Sequence, residues 1–270
     1  MPVGECTHAG RPIAYIVVAL PPRGGKIARA TMKSVTPPPA PTAPRNPPTV
    51  PTRVWDLPTR ACHWLLAACV FAAIACAEVG GNWMPWHFRC GYAALSLLMF
   101  RWIWGFAGGR WSRFASFAPS PRRVVAYLRG APDPRDAAGA GHNPLGALSV
   151  WALLLLLTAQ VATGLFADDE IASSGPLNKF VGARAAGRLT GWHADIGGTA
   201  LMALIGLHLL AIAFYARRRG RNLLRPMLTG DAPLPAAVPA SRDSAGTRLL
   251  ALAIWGACLA AVLALLRWAG

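Results

Sequence analysis

The chain has 270 residues, of which 54% are hydrophobic and only 14% charged, with a mean hydropathy of +0.37. It carries 27 Lys and Arg against 11 Asp and Glu, a formal net charge of +16. Soluble domains are charged at roughly a quarter of their residues, so this composition excludes an ordinary soluble domain, whole-chain disorder and a disulfide-stapled secreted module.

Residues 1–31 form no recognisable element. Their apolar run from Ile13 to Leu20 lacks the basic segment that precedes a signal core. Met32-Lys33-Ser34 offers an alternative start that would leave 1–31 untranslated. Residues 37–51 hold eight prolines in fifteen positions, the composition of an extended, semi-rigid tail. The expected organisation is a tail over 1–50, a domain over 51–230, and a linker with a fifth helix over 231–270. Ala232 to Pro239 forms a second Pro-rich link.

Five stretches, near 62–79, 88–106, 144–166, 192–215 and 249–268, are apolar enough to cross a bilayer core of roughly 30 Å, which takes about 20 helical residues. In lipid each must be a helix, because a helix satisfies its own backbone groups. The third is the clearest, with Val150 to Leu157 at its centre. The second is interrupted by Arg101. No internal repeat is visible.

The loops orient these spans. Residues 107–143 carry Arg110, Arg113, Arg122, Arg123, Arg129 and Arg135, and residues 216–248 carry seven further arginines. Residues 80–87 carry no Lys or Arg, and 167–191 set Lys179, Arg184 and Arg188 against Asp168, Asp169 and Glu170. Positive loops stay cytoplasmic, so the N-terminus is expected inside and Gly270 outside. Most of the positive charge then reflects topology. The arginines are split over separate short loops, which argues against nucleic acid as a partner.

Of six histidines, His8 sits in the leader. His63, His87, His142, His193 and His208 lie in or beside the spans, where ionisable side chains need a reason. Each alone reads equally well as a wet ring in the headgroup region. Together they form a pattern. His193 and His208 are fifteen residues apart, leaving a remainder of about 60° and a rise of about 22 Å, so they face broadly one way at two depths. His63 lies at the depth of His208, and His87 at that of His193. Zinc would need three or four ligands. A haem needs two, on opposite faces of a flat ring, and helix bundles build such sites from facing helices. Gly91 and Gly197-Gly198 leave room for a macrocycle, though glycines also serve bare helix packing. Arg101, fourteen residues after His87, suits a haem propionate or snorkels to the headgroups. Cys62, Cys69 and Cys76 recur every seven residues and read as packing rather than a metal ladder. Asp195 either orients His193 or lies free at the surface.

These residues carry a family resemblance. The run Arg53-Val54-Trp55-Asp56-Leu57-Pro58-Thr59-Arg60-Ala61-Cys62-His63-Trp64 resembles the start of the first helix in bacterial cytochrome b561 proteins, closest to their nickel–iron-hydrogenase cytochrome b branch. His87-x3-Gly91-x9-Arg101, Gly141-His142-Asn143-Pro144-Leu145-Gly146 and Trp192-His193-x14-His208 are similar to its second, third and fourth helices. The match spans roughly 53–230. It implies an all-α integral membrane four-helix haem bundle, plus one additional C-terminal transmembrane helix. It implies two non-covalent haem b groups, one held by His63 and His208 on the cytoplasmic side and one by His87 and His193 outside.

The implied role is electron transfer in the bacterial inner membrane, between quinone and a hydrogenase, another dehydrogenase or a cytochrome c, as a subunit of a respiratory complex. A homodimer is compatible with it. His142 either caps a propionate, lines a quinone site or stabilises its own turn, the last being preferred. Two other classes stay open. A His-containing transporter or metal permease would use intramembrane histidines for ion passage, and a non-redox membrane anchor would use none of them.

Overall fold

The computed structural model describes residues 48–118, 120–131, 140–168 and 173–270. The leader, most of the Pro-rich tail, His8, Arg135, Asp169 and Glu170 lie outside the described residues.

Five helices among the described residues are long and apolar enough to cross a membrane. Helix α1 (Leu57–Val79) starts where the Asp56 side chain accepts the Thr59 N–H, with Pro58 in the first turn. A missing N–H costs nothing there, since the first-turn N–H groups have no helical partner. It stops at Gly80, whose φ of +67° breaks the helix without strain. One 3-10 turn, Gly81–Trp83, leads into α2 (Met84–Ala107), which runs straight through Arg101. A short amphipathic α3 (Pro121–Leu128) follows. Helix α4 (Pro144–Gly164) is capped by Asn143, which accepts the Gly146 N–H at 2.6 Å.

The fourth span departs from the sequence expectation. It runs over Ala183–Arg218, nine residues earlier than the apolar run begins. It consists of α5 (Ala183–Gly191), a π-helical turn over Trp192–Gly197, and α6 (Gly198–Arg218). Thirty-six residues rise about 54 Å, more than the hydrocarbon core of roughly 30 Å. The first turns are the polar part, with Arg184 and Arg188, and hydropathy alone discards them. A short α7 (Leu224–Thr229) and the fifth span, α8 (Ala245–Ala269), complete the chain.

Helix α2 is the central element, and α1, α4 and α8 all pack on it. On one face Leu97, Phe100 and Trp104 meet Cys62 of α1 and Ala251 and Cys258 of α8. On the other, Leu98 meets Phe114, Ala147 and Leu154. The fifth helix therefore lies on the α1/α2 side. Helix α6 packs on α4.

The His63 end of the bundle is tied by polar contacts. Asp56 is fully buried. Its Oδ1 accepts from Thr59 N (2.8 Å) and Trp104 Nε1 (3.1 Å), and its Oδ2 from Gly109 N (2.9 Å) and Ser112 Oγ (2.8 Å). One carboxylate thus joins the start of α1 to the end of α2. Gly109 has to be glycine, because a Cβ there would lie 2.4 Å from Asp56 Oδ2.

Strand β1 (Thr49–Arg53) pairs antiparallel with β2 (Asp231–Pro235), with Arg53 opposite Asp231. The pairing bridges the boundaries expected at residues 50 and 230. It also takes up part of the Pro-rich link, which composition reads as open chain. Two-stranded edges tolerate Pro51, Pro233 and Pro235 because only one side of each strand needs its N–H groups. Arg53 Nε lies 3.0 Å from Asp231, and its Nη1 3.4 Å from Asp243. Asp243 also accepts Arg248 Nε at 3.0 Å and Nη2 at 3.2 Å. Burial resists ionisation of Asp243, but the Arg248 fork outweighs it and holds the carboxyl below the usual carboxylate range.

Candidate functional site

The structure brings the four spanning histidines together as two pairs. His63 of α1 and His208 of α6 have ring centroids 6.5 Å apart with planes at 52°. His87 of α2 and His193 of the π turn are 5.9 Å apart with planes at 90°. Two imidazoles on opposite sides of one metal, each at about 2.0–2.1 Å with its centroid about 1.1 Å further back, have centroids about 6 Å apart. Both gaps fit that spacing. Among the described residues no group of three or more His, Cys, Asp or Glu could hold a metal ion. Each pair therefore offers two ligands, and a bound group must supply the others, as a porphyrin does.

At the His87/His193 pair the protein sets the ring chemistry. His87 Nδ1 lies 2.9 Å from the Ala73 carbonyl, and His193 Nδ1 lies 2.8 Å from the Gln160 carbonyl. A carbonyl only accepts, so both rings donate from Nδ1 and keep Nε2 free for a metal. Beside them is an empty space of about 660 Å³, partly open to the surroundings, lined by Ala73, Gly91, Gly164 and Val161 among others. That volume falls in the cofactor range of about 300–1,000 Å³. Gly91 would place a Cβ in open space, whereas a Cβ on Gly164 would lie 2.8 Å from His193 Cε1.

The His63/His208 pair is built differently. Arg60 Nε, His63 Nδ1, Arg101 Nη1 and His142 Nδ1 are all buried without a hydrogen-bond partner. Each such group costs about 1–3 kcal/mol, and more when charged. Arg101 does not reach away from the bundle; its guanidinium lies 4.9 Å over the Phe114 ring. The His142 ring sits between Trp55 (4.8 Å) and Phe117 (4.6 Å). Burial, then the Arg101 charge and His208, push His142 down to about 3, so its ring is neutral. The turn His142 precedes is held by Asn143, not by His142. Unsatisfied N–H groups at a cationic site are the complement of the carboxylates on a haem edge.

A family model described as prokaryotic cytochrome b561 matches residues 54–230. The chain belongs to the prokaryotic cytochrome b561 family. No curated protein matches the chain. Family membership makes this a multi-pass membrane haem protein, a transmembrane b-type cytochrome of electron transfer that binds haem b. The family match ends before β2 and α8 begin.

Sequence reading missed three contributors. Asp56 lies inside the quoted motif but reads there only as a helix start. Gly164 is unremarkable among apolar neighbours. Gln160 had a usable signal, since an amide inside a spanning helix is costly and marks function. Asp195 is exposed, and His193 Nδ1 turns to Gln160 instead. Trp83 and Trp86 are exposed near the His87 end, as interfacial anchors are.

Proposed function

We propose that the chain is a di-haem cytochrome b of the bacterial inner membrane, with its N-terminus in the cytoplasm. In this reading it carries electrons between the quinone pool and a hydrogenase, another dehydrogenase or a periplasmic cytochrome c. His63 and His208 hold the cytoplasmic-side haem, and His87 and His193 the other. Arg101 pairs with a propionate. The observation that carries the reading is the pair of imidazole gaps, 6.5 and 5.9 Å, on helices that cross the membrane together.

Haem b supplies one-electron chemistry when bound. The chain's residues do the rest. Two imidazoles per iron close both axial positions to oxygen and substrate, which favours electron transfer over oxygen chemistry. Main-chain carbonyls fix the ring tautomers at the His87 end. The apolar wall of Val161 and its neighbours limits water at that site. Arginines at the other end balance carboxylate charge inside the membrane. Placement at two depths gives an electron a route across the bilayer.

The test is haem stoichiometry and redox titration of the purified protein. Dithionite reduction should give a sharp low-spin b-type α band, and pyridine haemochrome should return two haems per chain titrating in two steps. One haem per chain would overturn the di-haem reading. Quinol oxidation by proteoliposomes, absent with every quinol tried, would remove the quinone from it.

A further inference from the structure

The π turn at His193 has an identifiable cause on the facing helix. The Gly198 N–H bonds the His193 carbonyl five residues back, in place of the usual four. That same carbonyl also accepts Gln160 Nε2 at 2.7 Å, while the Gln160 carbonyl accepts His193 Nδ1 at 2.8 Å. One residue of α4 therefore grips one residue of the fourth span at both its backbone and its ring. The amide orientation follows from the network, since only the NH₂ end can donate to a carbonyl. The other end, Gln160 Oε1, is buried with no donor. It is pressed against Gly197, where a Cβ would lie 2.2 Å away. A side chain chosen for stability alone would not leave that oxygen unpaired. Side-chain insertion into a helix ladder is a recognised origin of such distortions, and π turns recur at functional sites.

We propose that Gln160 is the positioning residue of the His87/His193 site. Its two hydrogen bonds hold the π turn open and fix the His193 ring perpendicular to that of His87, at 90°. The inference rests on the two-haem reading above and assigns the orientation of one axial ligand to a residue that is not a ligand. Ring orientation matters because perpendicular imidazole planes leave two iron d orbitals nearly equal in energy. A ferric centre so held gives a strongly anisotropic low-spin resonance, and turning one ring toward the other makes it rhombic.

The experiment is electron paramagnetic resonance, with redox titration, on the oxidised holo-protein and on Gln160→Leu and Gly197→Ala. The first variant deletes the amide; the second displaces it by crowding Oε1. Both are expected to keep the His63/His208 centre unchanged in signal and potential. The other centre should lose its strongly anisotropic signal for a rhombic one, with a shifted midpoint potential, or be lost alone. Unchanged signals in Gln160→Leu would overturn the proposal, as would loss or shift of both centres together, which marks a general folding role. Wild-type protein with fewer than two low-spin centres would instead sink the two-haem reading, before any variant is compared.

Discussion

The two histidine pairs lie on the same helices yet are prepared in opposite ways. At the His87 end both rings already donate to main-chain carbonyls, from Ala73 and Gln160. At the His63 end, four buried nitrogens on Arg60, His63, Arg101 and His142 have no partner. One site is organised by backbone, and its ring tautomers exist before any ligand arrives. The other carries an electrostatic deficit that only an anionic group can fill. Axial ligands alone therefore do not define a haem site. Their second partners decide whether protein or cofactor completes it.

The contrast can be broken most severely at the ligands. His208→Ala should halve the haem content and spare the His87/His193 signal, and His193→Ala should do the converse; pyridine haemochrome with resonance spectra checks both. Loss of both haems from either variant would mean that the sites fold as one. Next in size is Asp56→Ala, which leaves four donors around an empty space. Removing a buried charge partner costs about 3–5 kcal/mol, read as a lower thermal midpoint in detergent, with the His63-end haem released first.

Arg101→Leu sharpens the electrostatic half of the comparison. If its guanidinium answers a carboxylate, the loss is about 1.5–3 kcal/mol, roughly 10- to 100-fold weaker haem retention at that site alone, measured by transfer to apomyoglobin. Gly164→Ala tests the backbone half. Its Cβ would crowd the His193 ring at 2.8 Å, and overpacking of this kind costs about 1–3 kcal/mol. Haem occupancy should fall at the His87 end and hold at the other.

The smallest effect is expected at Asp243, which belongs to neither site. Its carboxyl titrates below the usual range, so its contribution is complete above the ordinary carboxylate pKa. It fades as pH falls through the lowered folded value. Asp243→Asn should therefore flatten the acid limb of a pH–stability profile and leave both haem spectra untouched.

Much of this was legible in the chain. The spans show as apolar runs because lipid demands them, and His193 with His208 shows because a helix has a fixed period. Arg101 is visible as an out-of-place charge, though not the Phe114 ring it lies over. What sequence could not give depends on contacts between helices. The carbonyl partners of His87 and His193 leave no trace in side-chain identity. The π turn follows from Gln160 on another helix, not from the residues that adopt it. The β1/β2 pair hides because proline argues against strands, and the rule yields at a two-stranded edge. The early start of the fourth span hides because its first turns are polar.

The β1/β2 ladder joins residues that leave the ribosome far apart in time. Thr49 emerges before any span, and Pro235 only after the fourth has been made. Domains form from the N-terminus onward during synthesis, and contacts between distant positions come late. The strand pair is therefore a clasp that stays open throughout insertion. It shuts only once the chain has threaded its way back to the same side, so a chain inserted in the wrong orientation would leave it unfastened, a flag for quality-control proteases.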